Sequence, residues 1–387
     1  MKKLRKTMLD MDKVLLVVSI ILFVFGLLNI VNASSQAVVI KYNTSLYNYF
    51  YKQLFSLIVG LFATILIIKI PTKKYYFLGP VIYAIITCAL IYLSVFGDMY
   101  QGSINWIKIG GFSFQPSEFA KPVMIILVAI LFERFYKRLR NEKADKVSRM
   151  NLIGIIIMVG CFFPCLVFFQ KDLGTMIILS AIFGLLFLSS PILKVDKLQT
   201  IIFMFVVIFI GALIIVARTG SLLTKTQLSR FDFYDPCSEY EDGGYQICNG
   251  FIAINDGGLL GVGIGNSKQV SYIPESHTDS VFAIIAEEYG FLFCSIIFFL
   301  YIVVLYRIFR LASKANTIRG KYICYGIGIY IGLHIIVNLG GLFGSMPLTG
   351  VPLPFLSYGG SFTLSLMCSL AVIQRISIEI NNQKIKV

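Results

Sequence analysis

The sequence predicts an all-α polytopic membrane protein with ten transmembrane helices, both termini in the cytoplasm, and a long extracellular loop between helices 7 and 8. Composition is the first reason, because 57% of the 387 residues are apolar and only 14% are charged, against about 25% charged in an ordinary soluble domain. The mean hydropathy of +0.81 is too high for a water-soluble surface. The second reason is a series of uncharged runs close to the roughly 20 residues that cross a bilayer.

The spans can be placed in order along one integral membrane domain, residues 1–387. Six uncharged runs are long enough, namely Val14–Asn32, Gln53–Ile68, Tyr75–Gly97, Met150–Gln170, Leu173–Leu193 and Leu198–Ala217. Pro122–Phe132 is too short alone, so we expect its helix to begin near Ser117. Ser280–Tyr306 is a further span, and the uncharged stretch Tyr322–Gln374 is long enough for two.

The net charge of +14 follows from this topology. With the N-terminus in the cytoplasm, about three-quarters of the basic residues lie on the inner side, as the positive-inside rule expects. Nucleic acid binding is therefore not required, since it needs basic residues gathered on one face. The basic start Lys2–Lys6 and the run Val14–Val31 look like a signal peptide, but no small-residue cleavage site follows. We interpret this segment as an uncleaved first helix.

Polar residues at membrane depth are costly and commonly face a cavity or a partner. Glu118 and Lys121 are three residues apart and share a helix face. A capped helix start with a snorkelling lysine is the alternative for this pair. Asp172 lies in a tight outer hairpin, and an ordinary polar turn is the alternative there. Trp106 could be an interfacial anchor.

The long outer loop, about residues 218–279, exceeds normal connection lengths and is therefore expected to be functional. Its glycine-rich stretch, 257–265, lacks the strand–helix context of a dinucleotide site. Cys237 and Cys248 lie in this loop. They could form a disulfide if the loop faces an oxidising space, and two free thiols are the alternative. Glu287 and Glu288 follow at membrane depth. Buried carboxyl groups there would be protonated or paired with a basic side chain, and a role as structural hydrogen-bond anchors is the alternative.

The segment 347–361 contains three prolines and cannot be one regular helix. A re-entrant outer segment, buried in protein or lining a cavity, is the natural interpretation. The outer half of the protein would then gather polar groups around a cavity. An enzyme acting on a lipid-borne substrate and a transporter both fit this arrangement.

Four motifs in this order resemble the SEDS family (shape, elongation, division and sporulation), of the RodA/FtsW type. They are Gln115–Glu118 with Lys121, Lys171–Thr175, Pro274–Asp279 with Glu287–Gly290, and Gly350–Ser361. The resemblance runs nearly the whole length of the chain. Two local departures stand out, because Ser280 replaces an aromatic residue and the insert Cys237–Gly243 is unexpected.

The resemblance implies a multi-pass peptidoglycan glycosyltransferase of the bacterial cell membrane that polymerises lipid II for elongation or division. The acid of the family's His-Thr-Asp motif is Asp279, the expected general base. Residues implied in substrate binding are Trp106, Gln115, Ser117, Glu118, Lys121, Asp172, Arg230, Gln246, Glu275, His277, Ser357 and Tyr358. Among them, Lys121 and Arg230 are the candidates for the substrate diphosphate.

The family also implies partners, namely a class B penicillin-binding protein and other divisome or elongasome membrane proteins. A divalent cation, Mg²⁺ or Mn²⁺, could share the task of binding the diphosphate, although no ligand set for it is visible in the sequence. Two alternatives stay open: a flippase or transporter of lipid-linked precursor, and a non-catalytic scaffold. Transporters often have internal repeats and midplane sites, whereas here we find no repeat and the polar groups gather outside.

Overall fold

Long apolar helices make up nearly all of the protein, seen in a computed structural model that describes residues 10–36, 47–99, 102–109, 112–220, 236–238, 244–274 and 276–384. They are α1 (Lys13–Gln36), α2 (Asn48–Lys69), α3 (Tyr75–Phe96), α4 (Pro116–Leu139), α5 (Lys146–Phe169), α6 (Leu173–Leu188), α7 (Lys194–Thr219), α8 (Tyr245–Gly257), α9 (Val281–Lys314), α10 (Ile318–Leu342) and α11 (Gly360–Lys384). An antiparallel hairpin of β1 (Ile107–Ile109) and β2 (Phe112–Phe114) precedes α4, and 3₁₀ turns lie at Thr72–Lys74 and Gln269–Ser271.

Eight of the described helices are long and apolar enough to cross a membrane, which confirms the helical membrane class. Two of the expected spans fall outside that set. Helix α4 carries charged side chains at both ends, and α6 has 16 residues, about 24 Å at 1.5 Å per residue. The ten-span count and the side of the termini stay predictions.

Helix α4 is the central helix of the bundle, in contact with α3, α5, α6, α10 and α11. Residues on all its faces are buried, including Ala120, Met124, Ile125 and Val128. A helix surrounded by protein can carry charged groups that a lipid-facing helix could not, because neighbouring helices supply their partners. Helix α7 is the opposite case, with most of its described apolar side chains exposed and available to lipid.

Helix α9 is broken at Gly290, which has φ 75° and ψ 178°. The positive φ is accessible to glycine without strain, and the backbone groups freed by the break are bonded by the chain that follows α8. Phe291 N–H donates to Gly258 O, and Val262 N–H donates to Glu287 O. The first part of α9, residues 281–288, is buried throughout. It therefore forms a short half-helix held inside the protein.

Two elements differ from the sequence prediction. The run predicted as Leu173–Leu193 is helical only to Leu188, because Ser189 and Ser190 lead into a proline. Lys197 Nζ donates to Leu188 O at 2.7 Å and to Ser190 O at 3.1 Å, satisfying carbonyls at this helix end. Helix α8 was not predicted, since a short helix within a polar loop has no membrane-length apolar run.

Candidate active site

Asp279 lies where α8, α9 and the proline-rich segment 343–359 meet, and its side chain is half-buried. Gln246 Nε2 donates to Asp279 Oδ1 at 3.1 Å and to Ser280 Oγ at 2.8 Å. A side chain on Gly350 would begin 3.8 Å from Asp279 Oδ2. The Asp279 carboxylate therefore accepts a hydrogen bond from the Gln246 amide and lies beside the backbone of Gly350.

Asn338, which sequence reasoning missed, fixes the backbone of Asp279. Its Nδ2 donates to Asp279 O at 2.7 Å and to Val351 O at 2.8 Å. One buried amide therefore joins the start of α9 to the proline-rich segment. The sequence does contain one signal for this role, namely an asparagine inside the long uncharged run. Polar groups at that depth usually have a specific partner.

We expect Asn338→Leu to lower the free energy of unfolding by about 2–4 kcal/mol, because it removes the donor for two carbonyls. Asn255→Leu, on the exposed side of α8, should change stability by less than about 0.5 kcal/mol. Thermal unfolding of both variants in detergent measures the difference. Equal melting temperatures for the two variants would contradict this assignment.

Side chains of the protein satisfy the polar backbone groups of the proline-rich segment. Tyr301 OH donates to Pro354 O at 2.6 Å, and His334 Nδ1 lies 3.2 Å from Pro352 O. Ser357 Oγ accepts from Leu353 N–H at 2.8 Å. Irregular backbone at membrane depth is tolerated only with such partners. In the structure, Ser357 therefore stabilises its own turn.

Two of the expected substrate-binding residues, His277 and Tyr358, form an aromatic cluster next to Asp279. Tyr358 N–H donates to His277 O at 2.9 Å. The ring of Tyr49, from α2, lies 4.4 Å from the His277 ring and 4.8 Å from the Tyr358 ring. The cluster joins α2 and the proline-rich segment to the residues that precede Asp279.

Glu118 and Lys121 form an ion pair inside the bundle. Lys121 Nζ lies 2.7 Å from Glu118 Oε1, and the two side chains are 1% and 3% exposed. The ammonium also lies 5.8 Å from the ring centroid of Tyr330 on α10, within the range of a cation–π contact. A snorkelling lysine would reach water, whereas this lysine is enclosed by protein.

Asp172 and Gln115 together link three of the four motifs. Asp172 caps α6 by accepting from Thr175 N–H at 3.1 Å, and Asn105 Nδ2 donates to it at 3.1 Å. Gln115 Nε2 approaches the same carboxylate at 3.5 Å, and Gln115 N–H donates to Ser361 Oγ at 3.0 Å. Motifs far apart in sequence are therefore brought into contact at one end of the bundle.

The remaining expected residues are placed as follows. Ser117 is buried in the first turn of α4. Trp106 lines a small cavity of about 160 Å³ against the end of α3, and Asp279 and Lys121 are not among its lining residues. A larger cavity of about 560 Å³ is lined by Asn249, Lys268, Gln269, Ser271 and Tyr272. Asn249 lies about one turn along α8 from Gln246, so one helix contributes both to this cavity and to the contact with Asp279. Arg230 and Glu275 lie outside the described residues.

Comparison with known proteins agrees with this arrangement. A family model described as a cell cycle protein, of the FtsW, RodA and SpoVE group, matches residues 12–382. The chain belongs to the FtsW/RodA/SpoVE family. The SEDS resemblance found in the four motifs is thereby confirmed.

Members of the family are similar over nearly the whole chain. A Bacillus subtilis protein named probable peptidoglycan glycosyltransferase FtsW is 33% identical and covers 97% of this chain and 92% of its own. Stage V sporulation protein E of the same organism is 29% identical and covers 95% of this chain and 96% of its own. A solved peptidoglycan synthase complex, described as coordinating polymerization and crosslinking, matches at 22% identity and TM-score 0.72 over 96% and 98%. Thermus thermophilus RodA matches at 22% identity and TM-score 0.65 over 95% and 96%.

The adjacent acids Glu287 and Glu288 hold the loop segment between α8 and α9. Glu287 accepts from Lys268 N–H at 2.8 Å and from Gln269 N–H at 3.3 Å, at the start of a 3₁₀ turn. Glu288 accepts from Gly265 N–H at 3.0 Å and from Asn32 Nδ2 at 3.3 Å. These contacts have the geometry of structural anchors between the loop, α1 and α9.

We expect Glu287→Ala to loosen the segment 261–272, because charged hydrogen bonds to backbone N–H groups contribute about 1.5–3 kcal/mol each. Amide hydrogen exchange in this segment should accelerate. Glu142→Ala, an exposed acid elsewhere, is the matched control and should leave the exchange unchanged. If both variants exchange like the wild type, Glu287 does not anchor the loop.

Cys237 and Cys248 form a disulfide with Cα atoms 5.0 Å apart. Cys237 lies in the insert in which the chain departs from the family pattern, and Cys248 lies in α8. Among the described residues, no group of three or more His, Cys, Asp or Glu side chains could hold a metal ion.

Proposed function

We propose that the chain is a peptidoglycan glycosyltransferase that polymerises lipid II at the outer face of the bacterial cell membrane, with Asp279 as general base. The observation that carries the proposal is the half-buried Asp279 carboxylate, oriented by Gln246 at the junction of three elements. The name of the Bacillus subtilis FtsW relative supports the reaction class. The family's role in elongation, division or sporulation is not assigned to this chain.

The reaction requires a proton acceptor at this position. The C4 hydroxyl of the acceptor GlcNAc attacks C1 of the donor MurNAc, and its proton passes to a carboxylate oxygen of Asp279. The C4 oxygen–C1 bond forms as the bond from C1 to the diphosphate oxygen breaks. Undecaprenyl diphosphate leaves, with one inversion at C1. General base catalysis of this kind contributes about 10²–10⁴-fold in rate.

Positioning and charge stabilisation of the diphosphate supply the rest of the rate. Lys121 and Arg230 are the proposed cations for this task. Lys121 would need to exchange part of its contact with Glu118 for the substrate. A divalent cation, Mg²⁺ or Mn²⁺, bound together with the diphosphate would supply further positive charge against the charge that develops on the leaving group. Titration of activity against chelator and against each cation tests that part of the proposal.

The topology that this function needs has ten spans, both termini inside, and the long loop outside. The Cys237–Cys248 disulfide supports the outer position of the loop, because disulfides persist in oxidising compartments. We also propose a class B penicillin-binding protein as the partner. The solved neighbour, a synthase complex that couples polymerization with crosslinking, supports this pairing.

Reconstitution tests the proposal directly. The purified protein, with a class B penicillin-binding protein, is incorporated into vesicles and supplied with lipid II. We expect glycan polymer on gels. Movement of labelled lipid II across the vesicle membrane without polymer would instead support the transporter alternative. Neither product, from a correctly folded pair, would overturn the assigned activity and favour a scaffold.

A further inference from the structure

The disulfide and the orienting amide of the active site share one turn of helix. Gln246 and Cys248 both lie in the first turn of α8, which begins at Tyr245. Gln246 Nε2 holds Asp279 Oδ1 at 3.1 Å, and Cys248 is bonded to Cys237. Any displacement of this turn therefore moves the donor that orients the Asp279 carboxylate.

The N-cap position of this turn carries no side chain. The residue there is Gly244, so the usual hydrogen bond from an N-cap side chain to the first N–H groups is missing. Uncapped helix ends fray, and isolated helices shorter than about 12–15 residues are marginal. Helix α8 has 13 residues. The cross-link at Cys248 restrains the turn in place of a cap.

The backbone on the other side of the bridge packs directly against the helix start. A side chain added at Gly244 would begin 2.0 Å from Pro236 O, so the two backbones are in close contact. The bridge from Cys237 to Cys248 closes the same contact one turn further on. The turn at residues 236–238 and the start of α8 thus form one unit.

We infer that the Cys237–Cys248 disulfide is a positioning element for the catalytic carboxylate, acting through Gln246. This inference rests on the proposed function. It also relates the two departures from the family pattern to each other. The insert supplies Cys237. Ser280, the other departure, accepts the second hydrogen bond of Gln246 Nε2 at its Oγ, at 2.8 Å. A dithiol breaks the bridge by exchange, in which the dithiol becomes a disulfide and both cysteines become thiols.

The test compares the oxidised and reduced full-length protein with its transpeptidase partner and lipid II. On reduction by dithiothreitol, we expect kcat to fall about ten- to a hundredfold, as for loss of a hydrogen bond to a charged group. KM should change by less than about twofold, because an interaction that acts only in the transition state affects kcat. Reoxidation should restore kcat.

Three variants isolate the cause. The double variant Cys237→Ser/Cys248→Ser should have the reduced kcat and be insensitive to dithiothreitol. Cys165→Ser, at an exposed free cysteine of α5, should behave as wild type in both states. Gln246→Ala should have a low kcat that reduction lowers no further, because bridge and amide act in one pathway.

Each other outcome is decisive. Unchanged kcat in the reduced wild type overturns the inference. If reduction lowers the kcat of Gln246→Ala by the same factor as that of wild type, the inference is also overturned. The bridge would then act on general folding and not through Gln246. Absence of polymer with the oxidised wild type overturns the proposed function itself, and so is distinguishable from failure of the inference.

Discussion

Asp279→Asn should reduce lipid II polymerisation by about 10²–10⁴-fold, the contribution of a general base. The amide has the size of the carboxylate and keeps an oxygen for the 3.1 Å contact from Gln246. It cannot accept the proton of the attacking hydroxyl. The main-chain contact from Asn338 is also unaffected, because it goes to the carbonyl of residue 279. Folding should therefore be retained, and single-turnover kinetics should show the loss in the chemical step.

Asp256→Asn is the matched control for this experiment. Asp256 is an exposed acid near the end of α8, the helix that also carries Gln246. The same change there should leave the rate within about twofold, since surface substitutions rarely disturb structure. A polymerisation rate for Asp279→Asn equal to that of Asp256→Asn would remove Asp279 from the chemistry.

The long helices could be predicted from sequence because each needs only a local run of apolar residues. Helix α4 was predicted to start near Ser117 although charged residues interrupt its apolar run. In the structure it is the central helix of the bundle. Contacts between distant segments could not be predicted in this way. Asn338 acquires its role only when α10 brings it to Asp279 and Val351. One sequence does not specify which polar groups at membrane depth meet.

The break at Gly290 and the existence of α8 illustrate the same limit. The acids before Gly290 indicated polar groups within a span, but the sequence prediction treated Ser280–Tyr306 as one span. The half-helix is stable because the backbone of residues 258–263 bonds to the interrupted turn. These hydrogen bonds are tertiary contacts, so the local sequence around Gly290 does not indicate them. The motif residues could therefore be found from the sequence, and their roles in a site stay predictions. The elements that hold these residues in place could not be predicted.

Lys121→Met should lower the free energy of unfolding by about 3–5 kcal/mol, since removing one partner leaves a buried charge uncompensated. Lys121 and Glu118 are both nearly inaccessible to solvent, so water cannot replace the lost partner. Lys137→Met is the matched control, the same change at an exposed position of α4, with an expected effect below about 0.5 kcal/mol. Chemical denaturation in detergent micelles measures both values. Equal losses would contradict the buried geometry.

The double variant Glu118→Gln/Lys121→Met separates the structural role of this pair from the proposed role of Lys121 in diphosphate binding. Replacing both partners removes the uncompensated charge, so most of the lost stability should return. Polymerisation should remain at least tenfold below wild type if the ammonium stabilises the leaving diphosphate, because that charge would still be missing. Recovery of both stability and rate would show that the pair only holds α4 in the bundle. The substrate cation would then have to be sought elsewhere, beginning with Arg230.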